Sequence, residues 1–383
     1  MKAVTLALGL CLFLQDSEKK LTLDDFEADS TEWTALKLDT TGVHPDPDAK
    51  AAIVRDAGAA KSGKGALAYT YGIAPGAVSV LALQRPIDLR GMKSMRLWVK
   101  CSRTTAVIIG LGEASGASYQ AAAHCTADVW QEIAVNLDEL TADEPAKDPN
   151  GKLDLDQVGA MTVFDIGGFL ATFLPDLKGA RSMVVDDVSF SSKPVTASTG
   201  PAQVTRVVPI HLVDNFETSV IRWIPVSVDF SDGPKFNLFE AAVAVDKEVP
   251  EGGGKQSLKF SYPRKGQKIH ALMRNLEKVD LGKATGIDLA LKSSHDGTFI
   301  VAIEEKDGSR YNRTVELHAG DWKKLSFSLT EFTKADDTQD ENDRLDAPQI
   351  KQVSIADIST MSGGTEANEN HLWIDQVLFV LGP

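Results

Sequence analysis

Short runs in which apolar side chains alternate with polar ones recur along the chain and predict β-strands. In residues 95–100 the apolar positions are Met95, Leu97 and Val99, which is the period of two expected for a strand with one buried face. Residues 106–111 form an apolar run of buried-strand length. Glycine-containing turns separate such runs at intervals of roughly 8 to 15 residues, a spacing typical of a β-sandwich or jelly roll.

The chain repeats itself at an offset close to 190 residues. Residues 24–27 (DDFE) match residues 214–217 (DNFE). Residues 88–166 align without a gap to residues 280–358, and 21 of these 79 positions are identical. Because self-similarity at a fixed period indicates duplicated structural units, the sequence predicts two homologous domains.

The repeat and the flanking composition divide the chain into four segments. The stretch between the two copies is rich in Pro, Thr, Ser and Ala and shows no period, as expected for a semi-extended linker. The predicted segments are a signal peptide at 1–17, a first jelly-roll domain at 21–192, a linker at 193–209 and a second domain at 210–383.

The first 17 residues have the order of a signal peptide. A short basic start precedes an apolar run at 3–14, and polar residues follow it. This run is too short to cross a bilayer. We therefore expect an exported protein that is secreted, periplasmic or at the cell surface, with no transmembrane segment.

The net charge limits the classes of partner that the chain can bind, and the cysteine content limits the disulfides that it can form. The chain has 54 acidic and 40 basic residues and a net charge of −14, which opposes binding to nucleic acid. Beyond the signal segment only Cys101 and Cys125 remain. Since the spacing of cysteines does not give their Cα separation, one disulfide and two buried thiols both remain possible.

The motifs that the two halves share resemble those of a known family. Each half opens with D-x-F-E and ends in an Asp-containing closing strand, and a tyrosine and a tryptophan recur between them. This set is similar to the galactose-binding-domain-like jelly rolls, in particular to carbohydrate-binding module family 11. The resemblance implies an all-β fold of two tandem β-sandwich domains and a carbohydrate-binding function. The shared positions include Tyr119 and Tyr311, Trp130 and Trp322, Leu153 and Leu345, and Asp186 and Asp375.

The resemblance also implies structural Ca²⁺ where the first and last strands of each repeat meet. Ca²⁺ prefers six to eight oxygen ligands. The alternative is that these carboxylates cap turns or pair with Lys and Arg. A second acidic stretch, at 148–156 and again at 336–346, loosely resembles a calcium-binding loop but lacks the twelve-residue EF-hand spacing, and it is interpreted as a solvated loop. The candidate calcium ligands are Asp25, Glu27 and Asp186 in the first repeat, and Glu217 and Asp375 in the second.

Sugar recognition requires aromatic faces and nearby polar groups, and relatives in the family place them on the concave sheet. The alternation in residues 95–100 leaves Trp98 on the outward face between two cations, whereas the second repeat has Ala290 at that position. The alternative for Trp98 is packing under a loop or against the other domain. Trp33, Trp130, Trp223 and Trp322 recur at framework positions and are expected in the cores. The candidate carbohydrate-binding residues are Arg96, Trp98, Lys100, Tyr119, Gln120, Tyr311 and Arg313.

The sequence contains no H-E-x-x-H, G-x-S-x-G or G-x-x-x-x-G-K-[ST] motif. Adjacent Glu304 and Glu305 would point to opposite faces of a strand, so they do not form a catalytic carboxylate pair. We therefore predict an exported, non-catalytic protein that binds a neutral polysaccharide or glycan. The alternative is a structural or adhesive surface protein whose sandwiches contact partner proteins and bind no sugar.

Overall fold

The structure is a computed structural model. It describes residues 18–56, 58–143, 148, 150–171, 177–195, 209–217, 220 and 222–382. The predicted signal peptide and most of the predicted linker lie outside these residues. Within the described part the regular structure is almost entirely β-strand, as the alternating pattern predicts.

The first repeat folds into two antiparallel sheets. The six-stranded sheet has the order β10-β7-β13-β5-β4, with β1 also paired to β13, and the seven-stranded sheet has the order β11-β9-β8-β12-β6-β2-β3. One short helix, α1 (Gly167–Leu170), follows β12. The strands are β1 Lys20–Asp24, β2 Thr34–Asp39, β3 Gly42–Pro45, β4 Lys50–Val54, β5 Ala66–Ile73, β6 Ala77–Ile87, β7 Ser94–Cys101, β8 Thr105–Glu113, β9 Ser118–Cys125, β10 Gln131–Asn136, β11 Thr141–Ala142, β12 Val158–Asp165 and β13 Gly179–Ser191.

The second repeat has the same strand order. Its six-stranded sheet is β17-β18-β26-β20-β23, with β14 paired to β26, and its seven-stranded sheet is β16-β15-β19-β25-β21-β22-β24. The protein is therefore a pair of tandem β-sandwiches of the jelly-roll type. The strands are β14 Ile210–Asp214, β15 Ile224–Asp229, β16 Lys235–Asn237, β17 Ala242–Asp246, β18 Ser257–Arg264, β19 Lys268–Asn275, β20 Ala284–Ser293, β21 Gly297–Glu305, β22 Arg310–Leu317, β23 Lys323–Ser328, β24 Thr333–Lys334, β25 Ile350–Asp357 and β26 Ala367–Leu381.

Each sandwich encloses its own hydrophobic core between its two sheets. In β7, Met95, Leu97 and Val99 are fully buried while the residues between them are half-exposed, as the alternation predicts. Burial of such side chains contributes about 1.5–3 kcal/mol each. The cores thus follow directly from the period of two in the sequence.

The opening D-x-F-E motif builds the same turn in both repeats. Asp24 accepts hydrogen bonds from Phe26 N at 2.9 Å and from Trp33 Nε1 at 3.1 Å. Asp214 accepts the equivalent bonds from Phe216 N and Trp223 Nε1. This aspartate, half-buried in repeat 1 and buried in repeat 2, therefore fixes the first core tryptophan of each repeat.

The framework tryptophans do not all lie in the cores. Trp33 and Trp223 are buried as expected. The expectation is wrong for Trp130 and Trp322, which are half-exposed. Both precede an edge strand of a six-stranded sheet, β10 or β23, where one side of the sheet has no neighbouring strand to cover the ring.

The two cysteines of the first repeat are free thiols in its core. A hydrogen bond with Cys125, together with burial, raises the pKa of the Cys101 thiol well above its usual value. Of the two possibilities that the sequence leaves, the structure has the buried thiol pair.

The two sandwiches contact each other through polar groups. Arg222 Nη1 donates to Glu139 Oε1 at 2.9 Å, and Thr126 Oγ1 donates to Val243 O at 3.0 Å. Lys278 Nζ also donates to the carbonyl oxygen of residue 140. In the described part of the chain, no helix has the length and hydrophobicity needed to cross a membrane.

Candidate functional site

Trp98 lies half-exposed on the outer face of the six-stranded sheet of the first repeat. Its cross-strand neighbours are Glu132 on β10 and Asp186 on β13. Lys61 Nζ, from the loop before β5, lies 4.1 Å from the centroid of the indole ring. Charged side chains thus surround this indole.

Further charged residues and a second indole extend this surface. Arg96 Nη1 donates to Glu132 Oε1 at 3.1 Å, and Lys100 Nζ lies 5.1 Å from the centroid of the Trp130 ring. Two half-exposed indoles, three cations and one carboxylate therefore share one face. The tryptophan surface of repeat 1 is defined by Lys61, Arg96, Trp98, Lys100, Trp130 and Glu132.

The chemistry of this surface suits a ligand with both apolar and hydroxylated sides. An indole face attracts C–H groups and cations through its quadrupole. Lysine and arginine head groups donate hydrogen bonds, and a carboxylate accepts them. Because the side chain of Lys61 is long and flexible, a ligand can displace its ammonium group from the Trp98 ring without disturbing the sheet.

The second repeat has a tryptophan on the outer face of its own six-stranded sheet. Trp373 on β26 is half-exposed and lies between Lys259 Nζ at 5.5 Å and Lys292 Nζ at 5.4 Å from its ring centroid. At the position equivalent to Trp98, β20 carries Ala290, as the alignment shows. The sequence reasoning missed Trp373 because this aromatic residue comes from the adjacent strand. The sequence signal is that Trp373 lies between the apolar Leu372 and Ile374, whose shared parity predicts the inward face of β26.

Tyr119 does not belong to this surface, and the prediction that its ring binds sugar is wrong. The side chain points into the core and is 2% exposed, and its hydroxyl donates to Asp148. Gln120 points outward from β9, where its Nε2 donates to Asp143 Oδ1 at 2.9 Å. Since β9 belongs to the seven-stranded sheet, Gln120 and Trp98 lie on different sheets of the sandwich.

In the second repeat, Tyr311 is likewise buried, and Arg313 contacts neighbouring side chains. Tyr311 is 1% exposed and its hydroxyl donates to Asp340, so its predicted role in sugar binding is also wrong. The guanidinium of Arg313 lies 5.6 Å from the centroid of the Phe327 ring and 3.7 Å from Glu331 Oε1. A buried tyrosine offers no ring face to a ligand, and Arg313 is already engaged with its neighbours.

The outer face of the seven-stranded sheet of repeat 1 is aliphatic. Val78, Val80 and Ala82 on β6 form a separate buried cluster, against which Leu36 and Phe164 pack. The Phe164 ring in turn contacts Phe169, whose side chain is 49% exposed, with the ring centroids 5.9 Å apart. This face differs in character from the charged tryptophan surface on the other sheet.

The acidic residues at the ends of repeat 1 hold the loop before β5. Glu27 Oε1 accepts from Lys64 N at 2.7 Å and from Gly65 N at 2.9 Å, and these bonds lower the pKa of Glu27. Asp186 Oδ2 accepts from Lys61 N and from Ser62 N, and its Oδ1 accepts from Asp187 N. Backbone N–H groups thus occupy both oxygens of Asp186.

The equivalent acidic residues of repeat 2 make the same kind of hydrogen bonds except at one carboxylate oxygen. Glu217 Oε1 accepts from Lys255 N and Gln256 N, as Glu27 does in repeat 1. Asp375 Oδ1 accepts from Gln376 N, but its buried Oδ2 has no hydrogen-bond partner among the described residues. Burial, and then the charges of Glu217 and Asp214, raise the pKa of Asp375 to about 7.

These two sites fit a cation unequally. A buried carboxylate oxygen without a partner costs free energy, and a hard cation with oxygen ligands removes that cost. Asp375 Oδ2 therefore fits Ca²⁺, with Glu217 beside it. Asp186 is satisfied by backbone groups alone, and exposed Asp25 accepts a hydrogen bond from Glu27 N.

Three further carboxylates approach one another in repeat 2. Oxygens of Glu305, Asp307 and Asp340 lie within 4.8 Å of each other. Glu305 is buried and accepts from Asp346 N and Ser309 Oγ, and burial raises its pKa. The acidic loop predicted as solvated is thus anchored on a buried glutamate. The first repeat has Ser in place of Asp307 at the equivalent position.

Comparisons with known proteins give matches to solved structures alone. No family model matches the chain, and no curated protein matches it. The family 11 carbohydrate-binding module of a cellulosomal cellulase of Clostridium thermocellum is similar at 17% identity and a TM-score of 0.34, covering 46% of this chain and 97% of that one. A family 11 carbohydrate-binding module from Clostridium thermocellum in complex with a β-1,3-1,4-mixed-linked tetrasaccharide is similar at 16% identity and a TM-score of 0.35, covering 46% of this chain and 98% of that one. The tandem of two family 22 modules from Paenibacillus barcinonensis Xyn10C is similar at 14% identity and a TM-score of 0.32. This match covers 94% of this chain and 96% of that one. These structural neighbours are carbohydrate-binding modules, the class that the sequence motifs resemble.

Proposed function

We propose that this protein is an exported, non-catalytic carbohydrate-binding protein that recognises a neutral glycan through the tryptophan surface of repeat 1. The observation that carries the proposal is the position of Trp98, half-exposed on the outer face of a rigid sheet among Lys61, Lys100 and the Arg96–Glu132 pair. Export rests on the N-terminal apolar run of the sequence.

The composition of the surface favours a glycan over an apolar ligand. A pyranose ring stacks its C–H face on an aromatic ring, while its hydroxyl groups exchange hydrogen bonds with surrounding polar side chains. Trp98 supplies such a ring, and the lysines, the arginine and Glu132 supply donors and an acceptor at its edge. The same surface lacks the contiguous aliphatic area expected of an apolar docking site.

Affinity gel electrophoresis on β-glucan, mannan and galactan tests the proposal. We expect at least one polysaccharide to retard the wild-type protein. The Trp98→Ala variant should then migrate as in a gel without polysaccharide, because truncation of a central aromatic anchor costs about 2 kcal/mol or more. Phe169→Ala, which removes an exposed aromatic residue from the other sheet, is the matched control and should be retarded like the wild type.

The aliphatic outer face of the seven-stranded sheet favours a second candidate, an adhesive surface protein that binds no sugar. Val78, Val80 and Ala82 are buried on this face, but Leu38 on β2 and Val43 on β3, which lie beside them, are 37% and 63% exposed. Exposed apolar surface of this kind marks contacts with other macromolecules. The same gels separate the candidates. Migration of the wild-type protein unaffected by all three polysaccharides favours adhesion and contradicts glycan recognition.

We also propose a structural Ca²⁺ in repeat 2, held by Asp375 and Glu217. The unpartnered Oδ2 of Asp375 supports this site. EDTA should lower the melting temperature by several degrees, since a ligand present at about 100 times its dissociation constant stabilises by about 2.7 kcal/mol. Asp375→Asn should abolish the EDTA effect, whereas Asp186→Asn in repeat 1 should leave it in place. An identical melting curve with and without EDTA contradicts the site.

A further inference from the structure

A cavity of about 520 Å³ lies between the two repeats. The first repeat contributes the end of β10 and the turn that carries Glu139, and the second contributes Arg222, Arg274 and Lys278. Its volume falls in the range of small-ligand sites. Because both repeats line it, this cavity exists only in the tandem arrangement.

Two guanidinium groups in this cavity have buried donors that no described residue accepts from. Arg222 Nη1 donates to Glu139 Oε1 across the repeat boundary, but its buried Nη2 has no hydrogen-bond partner among the described residues. The same is true of the buried Nε of Arg274. Burial, and then the charge of Arg222, lower the pKa of Arg274 to about 10, so this side chain stays charged at neutral pH.

Glu139 and Asp214, the two carboxylates whose charges act on Arg274, already accept other hydrogen bonds. Glu139 Oε1 accepts from Asn136 Nδ2 as well as from Arg222. Both oxygens of Asp214 accept bonds from Phe216 N and Trp223 Nε1. Buried charged donors are nearly always hydrogen-bonded in folded proteins. The described residues supply no acceptor for these two nitrogens, and a bound molecule can supply one.

We propose that this cavity binds the carboxylate of an acidic sugar, a hexuronic acid. A carboxylate presents two acceptor oxygens to the unpartnered nitrogens of Arg222 and Arg274. Thr141 and Asn275, which also line the cavity, match the hydroxyl groups of a sugar. Exposed Asp138, Glu277 and Asp280 at its rim oppose a phosphate dianion more strongly than a monoanion.

This site is independent of the tryptophan surface of repeat 1. Trp98 lies on the six-stranded sheet and is absent from the cavity lining. The Trp98→Ala variant should therefore bind the acid as the wild type does. Failure of the glycan proposal and failure of this one are thus distinguishable.

Isothermal titration of the full chain tests the proposal with galacturonic and glucuronic acid, their neutral counterparts galactose and glucose, acetate and inorganic phosphate. In the Trp98→Ala variant, which lacks the proposed neutral-glycan surface, we expect heat of binding from at least one uronic acid and none from the neutral sugars. Arg274→Gln should weaken this binding about 10-fold or more, as expected for the loss of a charged hydrogen bond. Arg90→Gln, which changes an exposed arginine paired with Asp88, is the matched control and should bind as the wild type does.

Three results would overturn the proposal: no binding of either uronic acid to the wild type, undiminished binding to Arg274→Gln, or equal or tighter binding of acetate or phosphate. The thermal unfolding curve of each variant establishes that it is folded. If Arg274→Gln does not fold, Arg274→Lys provides the same comparison, because it keeps the charge and lacks the Nε donor.

Discussion

His124 shows how one buried side chain makes stability depend on pH. It lies on β9, is 1% exposed, and its Nε2 has no partner among the described residues. Burial lowers the pKa of this imidazole from 6.5 to about 4, because a low-dielectric environment disfavours the charged form. The folded protein therefore holds His124 neutral over a range in which the unfolded chain binds a proton.

We predict that repeat 1 loses stability as the pH falls from 6.5 towards 4. In this window the unfolded state binds more protons, so the free energy of unfolding decreases by about 1.4 kcal/mol per pH unit and by about 3 kcal/mol in all. Urea unfolding across this range measures the effect. His124→Asn should remove most of this slope, whereas the same change at exposed His318 should not. Equal slopes in the wild type and His124→Asn would refute the prediction.

For individual residues, the sequence predicts whether a side chain points outward or into the core. The alternation around Trp98 correctly gives its outward direction, because the inward positions of β7 are all apolar. The same alternation places Tyr119 on the inward face of β9, because it shares its parity with the buried Ala123 and Cys125. Its burial was therefore predictable from the pattern alone.

At the scale of elements, the loop before β5 illustrates how the opening motif fixes the chain. Phe26 adopts a left-handed backbone conformation, with φ of 55°, and its carbonyl oxygen approaches Gly65 so closely that a Cβ there would collide with it. Glu27 then binds the N–H groups of residues 64 and 65. A glycine is required here because two backbone segments meet.

We predict that Gly65→Ala destabilises repeat 1 by about 2 kcal/mol or more, since the added methyl group meets backbone rather than a flexible side chain. Chemical unfolding measures this loss. Gly72→Ala, in β5, is the matched control because no atom lies within 4 Å of a Cβ at that position. Its effect should be below about 1 kcal/mol. Similar stability of the two variants would contradict the close approach.

The assignment of strands to sheets could not be predicted from the sequence. Alternation gives the buried face of each strand, but strands of both sheets bury their apolar face in the same core, so it does not tell which sheet a strand joins. For this reason Trp98 and Gln120, predicted as parts of one site, belong to different sheets. Trp373 was missed for the related reason that strand pairing brings it, rather than a residue of β20, to the exposed face.

At the scale of the whole molecule, the duplication supplies two similar sandwiches with different surfaces. The strand order is the same in both, yet Trp98 has Ala290 as its counterpart and the unpartnered Asp375 Oδ2 has no equivalent in Asp186. The contact between the repeats adds an arginine-lined cavity that neither repeat forms alone. The two copies of the fold and the contact between them therefore expose different functional groups.

Titration calorimetry with an oligosaccharide of whichever polysaccharide retards the protein tests the central claim most directly. If the tryptophan surface of repeat 1 binds the glycan, Trp98→Ala should lower the affinity about 10-fold or more, while Trp373→Ala in repeat 2 should leave it unchanged. Both variants should unfold at the wild-type temperature, because each indole is half-exposed. Wild-type affinity in Trp98→Ala would contradict the assignment of the glycan to this surface.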